Sequence, residues 1–285
     1  MNIQWYPGHM TKTRRQIEAD LKNVDMVAEL IDARIPIASR NPDIDAIVGD
    51  KPRLVVLNRA DQADPAANKA WTVYLRNRGI TVLETDSKEG TGIPQFSATI
   101  KTILKDKIAI WRAKGQVGRI VRVMVVGVPN VGKSTFINKV AKKKSAKAGD
   151  RPGVTRGKQW VAVDAGLDLM DTPGILWPRF EDEKIGLHLA FTGAVKDEIM
   201  DIEALACKLL SLLAERYPKA LSERYKMELP EGAEGWQLLE LAARKRGFLI
   251  SGGEVDTERM ANILLDEFRG GKLGRITLEL PEEVL

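Results

Sequence analysis

Gly127-Val-Pro-Asn-Val-Gly-Lys-Ser134 reads G-x-x-x-x-G-K-S, the pattern of a loop whose backbone N–H groups wrap the phosphates of a nucleotide. Phosphates are strongly hydrated anions, so a site must replace their water with many aligned donors. Gly127 and Gly132 let the backbone come close enough, at the N-terminus of a helix, to do so. With Gly at about 7% of residues, roughly one random chain of this length in a hundred would carry the pattern. An apolar run, Arg122–Val126, precedes it, and a helical pattern, Lys133–Lys142, follows. That strand–loop–helix context predicts an α/β fold.

Two shorter strings complete a nucleotide site. Asp171-Thr-Pro-Gly174 ends the apolar run Leu167–Met170, and Asn58-Arg-Ala-Asp61 ends another, Arg53–Leu57. The latter is close to N-K-x-D, the guanine-reading string, which in most GTPases lies downstream of the phosphate loop. Here it comes first. All parts of a guanine-nucleotide site are present in circularly permuted order, so the expected fold is a permuted Ras-like P-loop domain.

Each residue has an expected role. Lys133 bridges the β- and γ-phosphates, the Ser134 hydroxyl binds Mg²⁺, and Asn130, Val131, Gly132 and Thr135 complete the cradle. Asp171 holds Mg²⁺ through water. The Gly174 N–H contacts the γ-phosphate, so the segment after it responds to hydrolysis. Thr155, in Arg151-Pro-Gly-Val-Thr-Arg156, is the expected first switch, its hydroxyl joining the Mg²⁺ shell while GTP is bound; a plain turn residue is the alternative.

Asn58 and Asp61 are the expected base readers, because a carboxylate accepts from the N1–H and N2 amine of guanine. Adenine offers neither, which argues against a P-loop ATPase. Arg59 stands where Lys is usual; its stem can cover the base while its larger guanidinium favours stacking. Thr85, Asp86 and Ser87, after the run Ile80–Leu83, offer a backbone contact to the base oxygen.

From residue 25 to 171 apolar runs alternate with helical patterns, as in a parallel sheet with crossover helices. Further strands are expected at Met26–Ile31, Trp160–Val163 and Leu167–Met170, and helices at Thr11–Val24, Pro65–Arg78 and Pro94–Arg112. Lys12, Arg14 and Arg15 place positive charge in the first turn of the first helix, against its dipole, which suits a partner. After Pro178 the pattern becomes helical, with apolar spacing near 3.6 at Ile202–Leu213, Trp236–Arg246 and Asp256–Phe268, and a short strand expected at Arg275–Leu280. This divides the chain into a permuted nucleotide-binding domain, residues 1–180, and a small all-helical domain, residues 181–285.

The net charge of +5 hides an asymmetry: residues 1–180 hold 30 basic and 18 acidic side chains, against 14 and 21 in 181–285. A positive field on the nucleotide-binding half fits a polyanionic partner beyond the nucleotide. Residues 142–158 alone carry Lys142, Lys143, Lys144, Lys147, Arg151, Arg156 and Lys158 against Asp150; an RNA contact and a solvated loop both explain such a run. Cys207 has no partner for a disulfide and reads as a buried apolar side chain. No stretch approaches the ~20 apolar residues of a membrane span, and the first residues lack a signal-peptide core, so a soluble cytoplasmic protein is expected.

The permuted order, together with Trp5-Tyr-Pro-Gly-His-Met10, Asp32-Ala-Arg-Ile-Pro36, Asp150-Arg-Pro-Gly-Val-Thr155 and Asp171-Thr-Pro-Gly174, resembles the bacterial ribosome biogenesis GTPase A family. The resemblance implies a GTPase acting late in maturation of the large (50S) ribosomal subunit, whose precursor stimulates GTP hydrolysis. It also implies a helical domain that contacts rRNA and a factor that is monomeric off the ribosome. Ile175 stands where Ras-like proteins place the Gln that orients the attacking water. The resemblance implicates His9 in that task; packing within the N-terminal segment is the other reading. Asn130 matches the Asn that coordinates potassium in related permuted GTPases, where a cation beside the phosphates supplies charge. His188 lies in an apolar helix and reads as structural. The alternative function is a GTP-dependent RNA-binding scaffold, or another RNA-directed GTPase, in which hydrolysis is incidental.

Overall fold

The apolar run beginning at Met26 forms a strand buried along its whole length, and the sheet is built outward from it. The computed structural model describes residues 9–141, 159–164, 166–177, 180 and 182–284. Its strands are β1 (Met26–Asp32), β2 (Arg53–Asn58), β3 (Thr81–Thr85), β4 (Val121–Val126), β5 (Gln159–Asp164) and β6 (Leu167–Asp171). They lie in the order β3-β2-β1-β4-β6-β5, all parallel except β5, which runs antiparallel to β6. The carboxyl ends of β1, β2, β3, β4 and β6 therefore share one edge, where open parallel sheets place their ligands.

Helices α1 (His9–Leu21), α2 (Asp43–Val48), α3 (Pro65–Asn77), α4 (Gln95–Ile103), α5 (Lys105–Ala113) and α6 (Lys133–Val140) accompany the sheet. Val27, Met124 and Val126 pack with Ile17, Leu21, Ile44 and Val48 from α1 and α2. Ile31, Val55 and Leu57 pack with Ala67, Trp71 and Leu75 of α3. Strand alternation puts all of these sheet residues on one face. Phe96 of α4 meets Phe136 of α6 edge to face, with centroids 5.0 Å apart. Burial of each such side chain stabilises the fold by about 1.5–3 kcal/mol.

Beyond Asp182 the described chain is helical: α7 (Glu183–Phe191), α8 (Ile202–Arg216), α9 (Pro218–Tyr225), α10 (Gly235–Lys245) and α11 (Thr257–Arg269). α8 packs against α10 and α11, and Glu267 of α11 accepts hydrogen bonds from Arg224, Tyr225 and Arg246. His188 is buried in α7 beside Phe191. Cys207 is half-buried, and burial followed by Glu203 and Asp201 pushes its thiol up, away from reactivity. Among the described residues no helix is long and apolar enough to cross a membrane.

Several local expectations are corrected. The helix expected over Pro94–Arg112 is two, broken at Leu104, whose backbone turns to φ −97, ψ 12 as its side chain enters the core. No Gly or Pro marks that break. Arg14 serves the fold: it pairs with Asp43 of α2 and with Glu18. α2 and α9 had no expected counterpart, while α7 is the apolar helix expected around His188.

The strand expected at Arg275–Leu280 is absent, because its partners are loop backbone and one helix side chain, which offer no ladder. Leu278 N–H donates to Arg34 O at 2.7 Å, Trp71 Nε1 donates to Glu279 O at 2.8 Å, and the Glu279 carboxylate accepts from Ile37 and Ala38 N–H. The chain from Thr277 on accordingly clusters with the sheet-containing unit, and Asp182–Ile276 forms the other unit.

Candidate active site

β4 delivers the phosphate loop to the ligand edge, and α6 begins at Lys133. Gly132 precedes α6 at φ +97, and a Cβ there would lie 2.7 Å from Asn58 Nδ2. Only Gly satisfies both the dihedral and the approach. Lys133 is buried and donates through Nζ to Gly127 O at 3.1 Å and Val128 O at 2.9 Å. Burial lowers its pKa to about 8, against the opposing pull of Asp171. Thr135 is exposed in the first turn of α6.

Ser134 Oγ donates to Asp171 Oδ2 at 2.8 Å, while Asp171 Oδ1 is buried with no hydrogen-bond partner among the described residues. Burial raises the Asp171 pKa, opposed by Ser134 and Lys133. A hydroxyl and a carboxylate oxygen at the end of the phosphate loop are hard donors, and the orphaned Oδ1 gives a divalent cation or its water a partner. These residues fit Mg²⁺. Thr155 and the side chain of His9 lie outside the described residues, and His9 is the first residue of α1. The basic run 142–158 also lies outside them.

Gly174 touches the phosphate loop: a Cβ there would sit 2.6 Å from Pro129 Cα. The next residue, Ile175, donates its N–H to Gly127 O at 3.3 Å and buries its side chain in the α1–α2 core. Gly174 is thus continuous with backbone that is anchored both to the phosphate loop and to the core.

On the base side, Asn58 at the end of β2 is buried and acts as a tie. Its Nδ2 donates to Val131 O at 2.9 Å, and its Oδ1 accepts from Thr85 Oγ1 at 3.1 Å and Ser87 Oγ at 2.6 Å. Asp86 shapes its own loop, its Oδ1 accepting from the Lys88 and Glu89 N–H groups. Asp61 is exposed as a whole but its carboxyl is partly shielded; that desolvation first and then the Asp86 charge raise its pKa, partly offset by Arg59. Arg59 sits at φ +59 and reaches across to donate to Asn130 O at 2.8 Å, with Asp32 3.8 Å away. Asn130 is itself at φ +57, a conformation Asn tolerates.

Sequence reasoning missed the layer beneath. Arg34 is 1% exposed and grips Asp32 through Nε and Nη2, at 2.9 and 2.7 Å. Asp32 keeps its pKa low despite burial because of Arg34 and, further off, Arg59. Ala33 N–H donates to Asn58 O at 2.9 Å, so this ion pair supports the base-reading loop. Opposite charges two residues apart at the end of an apolar strand were the signal.

A phosphate loop, a Ser–Asp pair beside it and a guanine-reading loop that precedes it in the chain define a circularly permuted P-loop GTPase. Residues 122–226 match the model of the "50S ribosome-binding GTPase" family. GDP-bound YlqF superposes with a TM-score of 0.69 at 29% identity, covering 94% of this chain and all of that one. GNP-bound YlqF from Thermotoga maritima gives 0.66 at 30%, covering 95% and 99%. Ribosome biogenesis GTPase A of Bacillus cereus is 48% identical over 99% of this chain and 95% of its own. The Thermotoga maritima protein of that name is 33% identical over 99% and 96%. Mitochondrial ribosome-associated GTPase 1 of Mus musculus is 34% identical over 97% and 90%. The chain belongs to the ribosome biogenesis GTPase A family, and it binds and hydrolyses GTP.

Proposed function

We propose that this protein acts in the cytoplasm in late maturation of the large ribosomal subunit. It docks as a monomer on precursor rRNA with GTP bound and leaves after hydrolysis stimulated by that particle. The observation that carries this reading is Ile175. Its side chain is 1% exposed within the core and has no donor or acceptor, so the position that orients water in Ras-like GTPases does nothing of the kind here. Turnover then needs a group from elsewhere. His9 is our candidate, completed by the rRNA environment, with Thr155 closing the Mg²⁺ shell and potassium at Asn130 adding charge beside the phosphates. The basic run 142–158 and the helical domain supply RNA contacts. The names of full-length relatives support a ribosomal partner, and the description of the matching family, a 50S ribosome-binding GTPase, supports the large subunit as the choice.

The test is GTP turnover at fixed potassium, alone and with purified large or small subunits. Stimulation by large subunits or their precursors only, lost in Lys133→Ala, is the expected result. Equal turnover in all three conditions would sink it.

A further inference from the structure

Between Lys101 and Arg122 the chain carries seven basic residues and one acid, Asp106. The fold gathers part of that excess into a groove of about 340 Å³ between α4, α5 and the connector leading into β4. Lys101, Lys105, Arg112 and Arg119 line it, and no carboxylate does among the described residues. Lys105 and Arg112, seven residues apart on α5, share a side about 10 Å apart along the axis. Lys101, Lys105 and Arg112 are exposed and make no ion pair among the described residues.

Arg119 is held in place. Its guanidinium lies 4.2 Å over the Trp111 ring, donates to Gln116 Oε1 at 3.0 Å and stands 3.8 Å from Asp25. Much of the entropy of ordering this side chain is therefore lost on folding rather than on binding. Val121 and Gly166 place the groove at the start of β4, about 20 Å along the strand from the phosphate loop. It is not part of the nucleotide site. Its wall, the 114–120 connector, is the link that permutation creates between what are ordinarily the last helix and the first strand.

We propose that this permutation junction binds the phosphate backbone of RNA. The proposal rests on the ribosomal reading above and gives it a second contact, remote from the GTP site. Cations grouped without acids require closely spaced negative charge, which a phosphodiester chain supplies at every nucleotide. Trp111, 8% exposed, closes the floor, so a partner meets the charged rim rather than an apolar pocket. Among the described residues, Gln116 and the largely buried Trp111 are the neutral side chains in the lining able to hydrogen-bond, so recognition is of backbone and not of sequence.

The test uses the full chain with Lys101, Lys105 and Arg112 all changed to Glu, titrated with protein-free large-subunit rRNA across a salt series. GDP binding reports an intact fold. We expect unchanged GDP affinity, RNA binding at least tenfold weaker, and a log K against log salt slope shallower by about 2–3. The same three positions changed to Gln read the same shift in slope should charge reversal disturb the fold. Parent and variant binding RNA with equal affinity and slope overturns this contact alone. A parent that binds no RNA overturns it together with the ribosomal reading. A defect seen with intact subunits but absent on naked rRNA assigns the groove to a protein and also overturns it.

Discussion

Asn58 donates from Nδ2 to the main-chain oxygen of Val131 at 2.9 Å, joining the base-reading loop to the phosphate loop across 73 residues of chain. Because the same side chain accepts from Thr85 and Ser87, one amide sets the spacing between the phosphate loop, the end of β2 and the loop after β3. Asn58→Ala leaves a buried carbonyl and two hydroxyls unsatisfied. We expect a loss of about 1–3 kcal/mol in urea unfolding. GTP and GDP affinities should fall together, at least tenfold, in titrations of both. Loss of guanine selectivity at unchanged affinity would instead confine Asn58 to the base.

Lys133 gives the free protein a pH signature. Its folded pKa, about 8, lies below the 10.5 of an ordinary lysine. Between those values the unfolded chain holds the extra proton, so stability of the nucleotide-free protein rises with pH through that window. Phosphates reverse the preference by favouring the ammonium, so binding above pH 8 takes up a proton. GDP affinity should be flat from pH 7 to 8 and then fall, by up to about tenfold per unit. Lys133→Met should bind weakly at every pH and show no such bend. A flat parent profile to pH 9 would contradict the assignment.

Ile175→Gln restores the Ras-like residue type and should still fail to raise intrinsic GTP turnover. The side chain points into the cluster of Val27, Met124 and Val126, not at the phosphates. A buried amide without partners there costs about 1–3 kcal/mol. The expected outcome is a lower unfolding midpoint with basal hydrolysis no faster. A large gain in basal turnover would show that the position reaches the water after all.

Much of this site was legible because its determinants are local. Gly127, Gly132, Lys133 and Ser134 lie in one short string from the phosphate loop into the first turn of α6, and the runs feeding Asn58 and Asp171 are strands by apolar content alone. What could not be read depends on partners distant in sequence. The motif names Asn58 but not its bond to Val131, and it names Arg59 but not its reach to Asn130. The break at Leu104 comes from a side chain drawn into the core, with no breaker residue to announce it. Ile175 looked like a missing catalytic group, and only its packing shows that it belongs to the core.

The last residues illustrate the same point and give the final prediction. Glu279 accepts from Ile37 N–H at 2.6 Å and Ala38 N–H at 3.2 Å, capping the loop that follows Asp32. That loop carries the Asp32–Arg34 pair and the Ala33 N–H that holds Asn58 O, so Glu279 supports the base-reading strand end from behind. Glu279→Ala orphans two backbone donors and should lower stability by about 1–3 kcal/mol. Glu279→Gln keeps a carbonyl acceptor and should cost less. Because the support runs through Asn58, GDP affinity should weaken in the same order, Ala more than Gln. Unfolding in urea and GDP titration of both variants measure the two effects. Stability lost in Ala with GDP affinity untouched would confine Glu279 to holding the loop and sever its link to the base-reading site.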